Sequence, residues 1–210
     1  MLLKNVFGNY FDIKYRMVIH IFGDSHCYNG WSGIPNIRSH HLGPKLCFSI
    51  GRDGINIKDW YNVHNGDTVI FCFGEIDCRC HIHKHISECN DYKQIIDTLV
   101  QNYFIKLKNA VDSFDNLKTV VYNVVPPIQK NNTIENPEFP YLGTDEERKM
   151  YVLYFNEKLQ QKCDEYNFLF FNVYNFYADS NGFLNKTLSD DSVHIRDGIY
   201  LKKFIEDNIL

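Results

Sequence analysis

The sequence predicts an α/β fold, a three-layer α/β/α sandwich around a five-stranded, mostly parallel sheet of the flavodoxin-like kind. Three observations carry that reading. Short runs of β-branched and aromatic residues are apolar throughout rather than alternating, as strands covered on both faces require. These runs alternate with amphipathic helical segments. The first three of them each end on a glycine, the mark of a tight turn leaving a strand.

Met17 to Phe22 is the first such run and stops at Gly23-Asp24-Ser25. Leu46 to Ile50, ending at Gly51, reads as the second strand, and Thr68 to Phe73, ending at Gly74, as the third. From Lys93 to Val111, Ile95, Ile96, Leu99, Val100, Tyr103, Phe104, Leu107 and Val111 recur at three-to-four spacing, which predicts an amphipathic helix. Thr119 to Val125 is a fourth strand, stopped by Pro126-Pro127. Residues 131–143 have the composition of a loop. Thr144 and Glu147 form a capping box that opens a long helix through Tyr151, Phe155, Leu159 and Cys163. Phe168 to Val173 supplies a fifth strand and Gly198 to Ile209 a closing helix.

With 210 residues, no internal repeat and no composition break, the chain reads as a single domain over 1–210, of which 1–15 form an N-terminal extension. Hydrophobic residues make up 44% and charged residues 23%, with 12 Gly and 6 Pro, which excludes disordered, collagen-like and coiled-coil chains. The formal charge of −4 offers no basic field for nucleic acid. Seven scattered cysteines, several inside strand-like runs, suit a reducing compartment. Without a signal-peptide pattern or a long apolar run, the chain is expected to be soluble and cytoplasmic, with no membrane partner. Richness in Asn, Ile, Lys, Tyr and Phe points to an AT-rich genome and says nothing of function.

Chemistry is expected where strands end, since ligands of open α/β sheets sit beyond the carboxyl edge. Gly23-Asp24-Ser25 leaves the first strand there, and Asp191-Ser192-Val193-His194 precedes the last helix. Serine needs a base to take its proton as it attacks, and an imidazole suits neutral pH. A carboxylate three residues before that histidine can orient it, which favours Asp191 over Asp190. Taken alone, Ser25 is equally a helix-capping turn residue. Alternating Cys and His from Cys78 to His85 can in principle ligate zinc, but the spacing does not match known paired ligands, so no metal or other cofactor is expected. His40 and His41 receive no role.

Together the two boxes resemble the SGNH (GDSL-like) hydrolase family, in which a GDS block follows the first strand and a DxxH block precedes the last helix. The resemblance runs from about Met17 to the C-terminus. It implies a Ser25, His194, Asp191 triad and an oxyanion hole built from the Ser25 N–H and the second-block glycine, Gly51, with Gly54 as the alternative. The family's third block is usually GxND, whereas this chain reads Gly74-Glu75-Ile76-Asp77, so Ile76 stands where a donor Asn is expected. Arg79 is the nearest substitute donor, and Asp24, His26, Glu75, Asp77 and His81 are candidate substrate contacts. Glu75, Asp77 and Arg79 can equally form a local ion-pair network.

The resemblance implies a serine esterase or acyltransferase acting on a small-molecule or glycan ester, and the third block favours removal of an acetyl group from a carbohydrate. A catalytically silent binding module for a sugar or protein partner is the competing reading, for which Ile76 speaks. A metal-dependent hydrolase would rest on the Cys78 to His85 cluster alone.

Overall fold

A computed structural model describes residues 17–59 and 61–210; the expected extension over 1–15 lies outside them. In chain order the elements are β1 (Ile19–Gly23), β2 (Ile37–His41), α1 (Cys47–Asp53), β3 (Thr68–Cys72), α2 (Ile82–Lys84), α3 (Tyr92–Val111), β4 (Lys118–Tyr122), α4 (Asp145–Tyr166), β5 (Leu169–Phe171), α5 (Tyr174–Tyr177) and α6 (Ile199–Asn208). The sheet has the order β2-β1-β3-β4-β5 and every pairing is parallel. Helices α1, α3 and α4 cover one face, around Phe104, Leu107, Phe155 and Leu159. The other face is closed by Trp31, Tyr177 and α6, around Leu201 and Ile205. The fold class is therefore the three-layer α/β/α sandwich that the uniformly apolar runs require.

The expected second strand, Leu46 to Ile50, is not a strand, because Cys47 to Asp53 forms α1. Short apolar runs fit either element by periodicity alone, and two tertiary contacts decide this one. The Asp77 carboxylate accepts from the first two helical N–H groups, Cys47 at 2.7 Å and Phe48 at 3.1 Å, supplying from a distant loop the capping that a helix start needs. Gly51 lets α1 lie against α3, since a Cβ there would stand 3.1 Å from Asn102 Cβ and 3.2 Å from the Tyr103 nitrogen. The true second strand, β2, is the polar edge Ile37-Arg38-Ser39-His40-His41. An edge strand tolerates polar side chains and so lacks an apolar signature.

The fourth strand ends at Tyr122, earlier than expected, because asparagines take over its pairing. Asn156 on α4 accepts from the Val124 N–H at 2.7 Å and donates to the Val124 carbonyl at 2.8 Å. Asn123 accepts from the Val173 N–H at 2.9 Å. These bonds satisfy backbone that leaves the sheet while still buried.

One close contact joins the two ends of the described chain. Gly198, at the start of α6, lies so close to the loop after β1 that a Cβ would meet the Gly30 carbonyl oxygen at 1.8 Å. Backbone on both sides cannot yield, so Gly198→Ala is expected to reach the upper part of the overpacking range, about 3 kcal/mol. At this chain length, thermal unfolding should show a fall in Tm of roughly 6 to 12 °C.

On β1, buried His20 bonds His40 of β2, Nδ1 to Nε2, at 2.8 Å, and its other nitrogen lies 3.4 Å from Asp67. Burial, foremost, lowers both imidazoles, His40 to about 4 against an ordinary 6.5. A histidine held neutral in the fold but protonated in the unfolded chain contributes stability above pH 6.5 that is lost toward pH 4. Replacing His40→Gln, which keeps an acceptor for His20 but does not titrate, is expected to flatten the fall in Tm over that window. An unchanged Tm profile would refute the assignment.

Candidate active site

The strand order reverses beside β1, where the β1 loop turns toward β2 and the β3 loop away from it. In sheets of this order the crevice between β1 and β3 is the natural binding position. Ser25 opens a short 3-10 turn, Ser25–Cys27, immediately after β1, capped by Asp24. Gly23 permits that turn, because a Cβ there would meet the Cys72 carbonyl oxygen at 2.6 Å. Gly74, at φ +116°, turns the β3 loop in a conformation that only glycine adopts readily.

Ser25 and His194 meet across this edge, with Ser25 Oγ 2.8 Å from His194 Nε2. On the far side of the ring, Nδ1 lies 3.0 Å from Asp190 Oδ2 and 2.9 Å from the Ser192 hydroxyl. An ionised carboxylate only accepts, so Nδ1 carries the proton and Nε2 is free to accept from the serine hydroxyl. Burial first, and then the neighbouring His26, hold the His194 pKa below its ordinary value, against the opposing pull of Asp190 and Glu75. Burial would raise the Asp190 carboxyl, but hydrogen bonds from Ser192 and His194 outweigh it and lower its pKa. The base is thus neutral, and its carboxylate ionised, at neutral pH.

The expectation of Asp191 is corrected: Asp190 is the carboxylate on His194. The segment closes into a tight loop, with the Asp190 N–H donating to the His194 carbonyl at 3.1 Å and Ser189 bridging Ile195. Asp191 occupies its apex at φ +64°, with its N–H on the Ser189 hydroxyl. Spacing along an extended segment favours the residue three before the histidine, but loop closure brings the fourth one to the ring.

Several other expected contacts are structural. Gly51 lies in α1 against α3 and Gly54 caps that helix, so neither fits an oxyanion role. Arg79 has its guanidinium committed, at 2.7 and 2.9 Å to both Glu75 oxygens and at 2.6 Å to the Phe139 carbonyl. It ties the 139–141 loop to the β3 loop, and its donors are not free to face Ser25. Asp77 caps α1, and burial pushes its carboxyl up to about 7 although the two N–H groups oppose this. His81 packs on Phe48 and His85, its pKa lowered to about 4, mainly by burial. His26 and Asp24 are buried and bonded to each other, Nδ1 to Oδ1 at 2.9 Å. Ile76 is also buried and offers no donor.

Gly43, to which sequence reasoning assigned nothing, stands just beyond the true second strand, β2, the strand after which the second-block glycine is expected. His41 is in register with Gly23, so Gly43 lies two residues beyond the end of β2 as Ser25 lies two beyond the end of β1. Neither the Ser25 nor the Gly43 N–H has an acceptor among the described residues. The Gly43-Pro44 pair is a turn signal, and it became informative only once β2 was located. Among the described residues, no three His, Cys, Asp or Glu side chains gather as a metal site, the Cys78 to His85 stretch included.

Carboxylate, imidazole and hydroxyl in this order can transfer one proton to and from a reacting oxygen. Asp190→Asn is therefore expected to lower Ser25-dependent turnover on the order of 10² to 10⁴-fold, whereas Asp191→Asn should leave it unchanged. Steady-state kinetics of the two variants decide which carboxylate serves His194.

No family model matches the sequence, and no curated protein does. Solved structures do match. A Streptococcus pneumonia protein provisionally described as a platelet activating factor superposes with a TM-score of 0.68 at 14% identity, over 95% of this chain and 87% of that one. A GDSL-like lipase from Bacteroides thetaiotaomicron gives 0.61 at 12% identity, over 93% and 88%. An acetyl xylan esterase gives 0.56 at 14% identity, over 92% and 100%. The chain has the SGNH (GDSL-like) hydrolase fold, with Gly74-Glu75-Ile76-Asp77 at its third loop.

Proposed function

We propose that this chain is a serine esterase that removes a small acyl group, acetyl foremost, from a carbohydrate or glycan, or transfers it to another hydroxyl. The observation that carries the proposal is the Ser25, His194, Asp190 relay, at 2.8 and 3.0 Å. His194 Nε2 takes the hydroxyl proton as Ser25 Oγ attacks the acyl carbon, and the carbonyl oxygen becomes an oxyanion facing the Ser25 and Gly43 N–H groups. Collapse expels the alcohol, which leaves with the proton from His194. Water or an acceptor hydroxyl then repeats the sequence on the acyl-serine, which regenerates Ser25.

The preference for a small acyl group is supported by space. The cavity lined by Asp24, His26, Glu75 and Asn123 at the carboxyl ends of the strands holds about 10 Å³, room for little more than one water. That is below the usual size of a ligand pocket. The carbohydrate preference is supported by the character of the third loop and by the acetyl xylan esterase among the fold neighbours. No helix among the described residues is long and apolar enough to cross a membrane.

Ile76 favours a second reading, a binding module that has lost turnover. An oxyanion donor is worth about 2.7 to 4 kcal/mol, so its absence predicts a slow enzyme at the least. Hydrolysis of p-nitrophenyl acetate, butyrate and octanoate separates the two. The esterase reading expects acetate to be preferred and octanoate to be poor. Ser25→Ala and His194→Ala should each remove nearly all turnover, with the double variant little worse than either alone, because the pair acts as a unit. Turnover that survives Ser25→Ala would overturn the proposal.

A further inference from the structure

His26 follows the nucleophile in sequence, yet its ring is turned inward, and both of its nitrogens meet acceptors. Nδ1 lies 2.9 Å from Asp24 Oδ1 and Nε2 lies 3.1 Å from the Val193 carbonyl oxygen. A carbonyl cannot donate, and neither can an ionised carboxylate, so both bonds exist only if both nitrogens carry hydrogen. That form is the imidazolium. Its ring centroid stands 4.8 Å from that of His194, and Val193 is the residue before His194. The same side chain therefore joins the loop of Ser25 to the loop of His194 and sets a cation beside the base.

We propose that His26 is a positioning residue charged at neutral pH, which clamps the 190–194 loop onto the nucleophile turn and keeps His194 in its proton-accepting form to lower pH than Asp190 alone would permit. The clamp is rigid at its root. Asp24 Oδ1 also accepts from the His26 backbone N–H at 2.9 Å, and the His26 carbonyl accepts from Trp31 Nε1 at 2.9 Å. The charges that face the two rings come from three loops. Asp24 and Glu75 face His26, and Asp190 and Glu75 face His194. Glu75 is itself paired to Arg79, and the nearby Cys27 and Cys72 thiols stay protonated by burial. Burial works against the His26 charge, but Asp24 overcomes it and lifts the pKa to about 9. The cation thus persists across neutral pH while repelling a second proton from His194.

The role in turnover rests on the esterase reading, whereas the charge state does not, so two measurements are made. In ¹⁵N-histidine-labelled protein at pH 7.5, both His26 nitrogens are expected to resonate as protonated while His194 shows one bare nitrogen. A neutral His26 tautomer would overturn the proposal even if esterase activity is found. In His26→Gln, the His194 titration followed by NMR is expected to move upward by about one pH unit, the scale of one neighbouring charge. The acid limb of kcat/KM should move with it, lowering the rate at pH 6 by up to tenfold relative to its alkaline plateau. A folded His26→Gln in which the His194 titration does not move would refute the electrostatic role. If the variant does not fold, the wild-type nitrogen signature still decides the charge state. If the wild type hydrolyses no ester, the NMR titrations remain interpretable, and only the esterase reading falls.

Discussion

Asp24 is almost fully buried, at 1% exposure, and a carboxylate in that position is costly unless a cation and hydrogen bonds accompany it. His26 supplies both a backbone N–H and a ring N–H. Because the other ring nitrogen reaches Val193, 167 residues away in sequence, meeting the needs of one buried charge also brings the end of the chain over its beginning. The Ser25 to His194 contact lies beside that link, in the same closure of the two loops.

The remaining supports are steric. Gly23 and Gly198 allow backbone to approach backbone where any side chain would separate the loops from the sheet or from each other. Asp77 and Arg79 then fix the third loop, one by capping α1 and the other by pairing with Glu75 and holding the Phe139 carbonyl. These side chains look like site residues because they carry charge at the carboxyl edge. Their hydrogen-bonding capacity is spent on backbone and on each other, so they shape the crevice and do not enter it. The Ser25 and Gly43 main-chain N–H groups are left without acceptors among the described residues, and their availability depends on the path of the loop and not on residue type.

How far the site was legible follows from the range of the interactions that build it. Ser25 and His194 stand out in the sequence because their boxes are local and their chemistry needs those residue types. Asp190 does not stand out against Asp191, since adjacent carboxylates differ only in which way a tight loop turns them, and the φ of +64° at Asp191 is a property of the closed loop. Gly43 was hidden behind β2, a polar edge strand, while the apolar run that imitated a strand is a helix capped from 29 and 30 residues away.

The sequence by itself determined the layer architecture, the positions of β1, β3, β4, α3, α4 and α6, and the two short boxes that hold Ser25 and His194. Uniformly apolar runs, helical periodicity, a capping box and reactive residue types all act within a few neighbours. Only the tertiary structure decided which edge strand completes the sheet, which carboxylate and which glycine join the site, and that His26 faces inward as a link between loops. Each of those depends on where a hydrogen-bond acceptor or a backbone atom from a remote segment comes to lie, and no local pattern of residues encodes that distance.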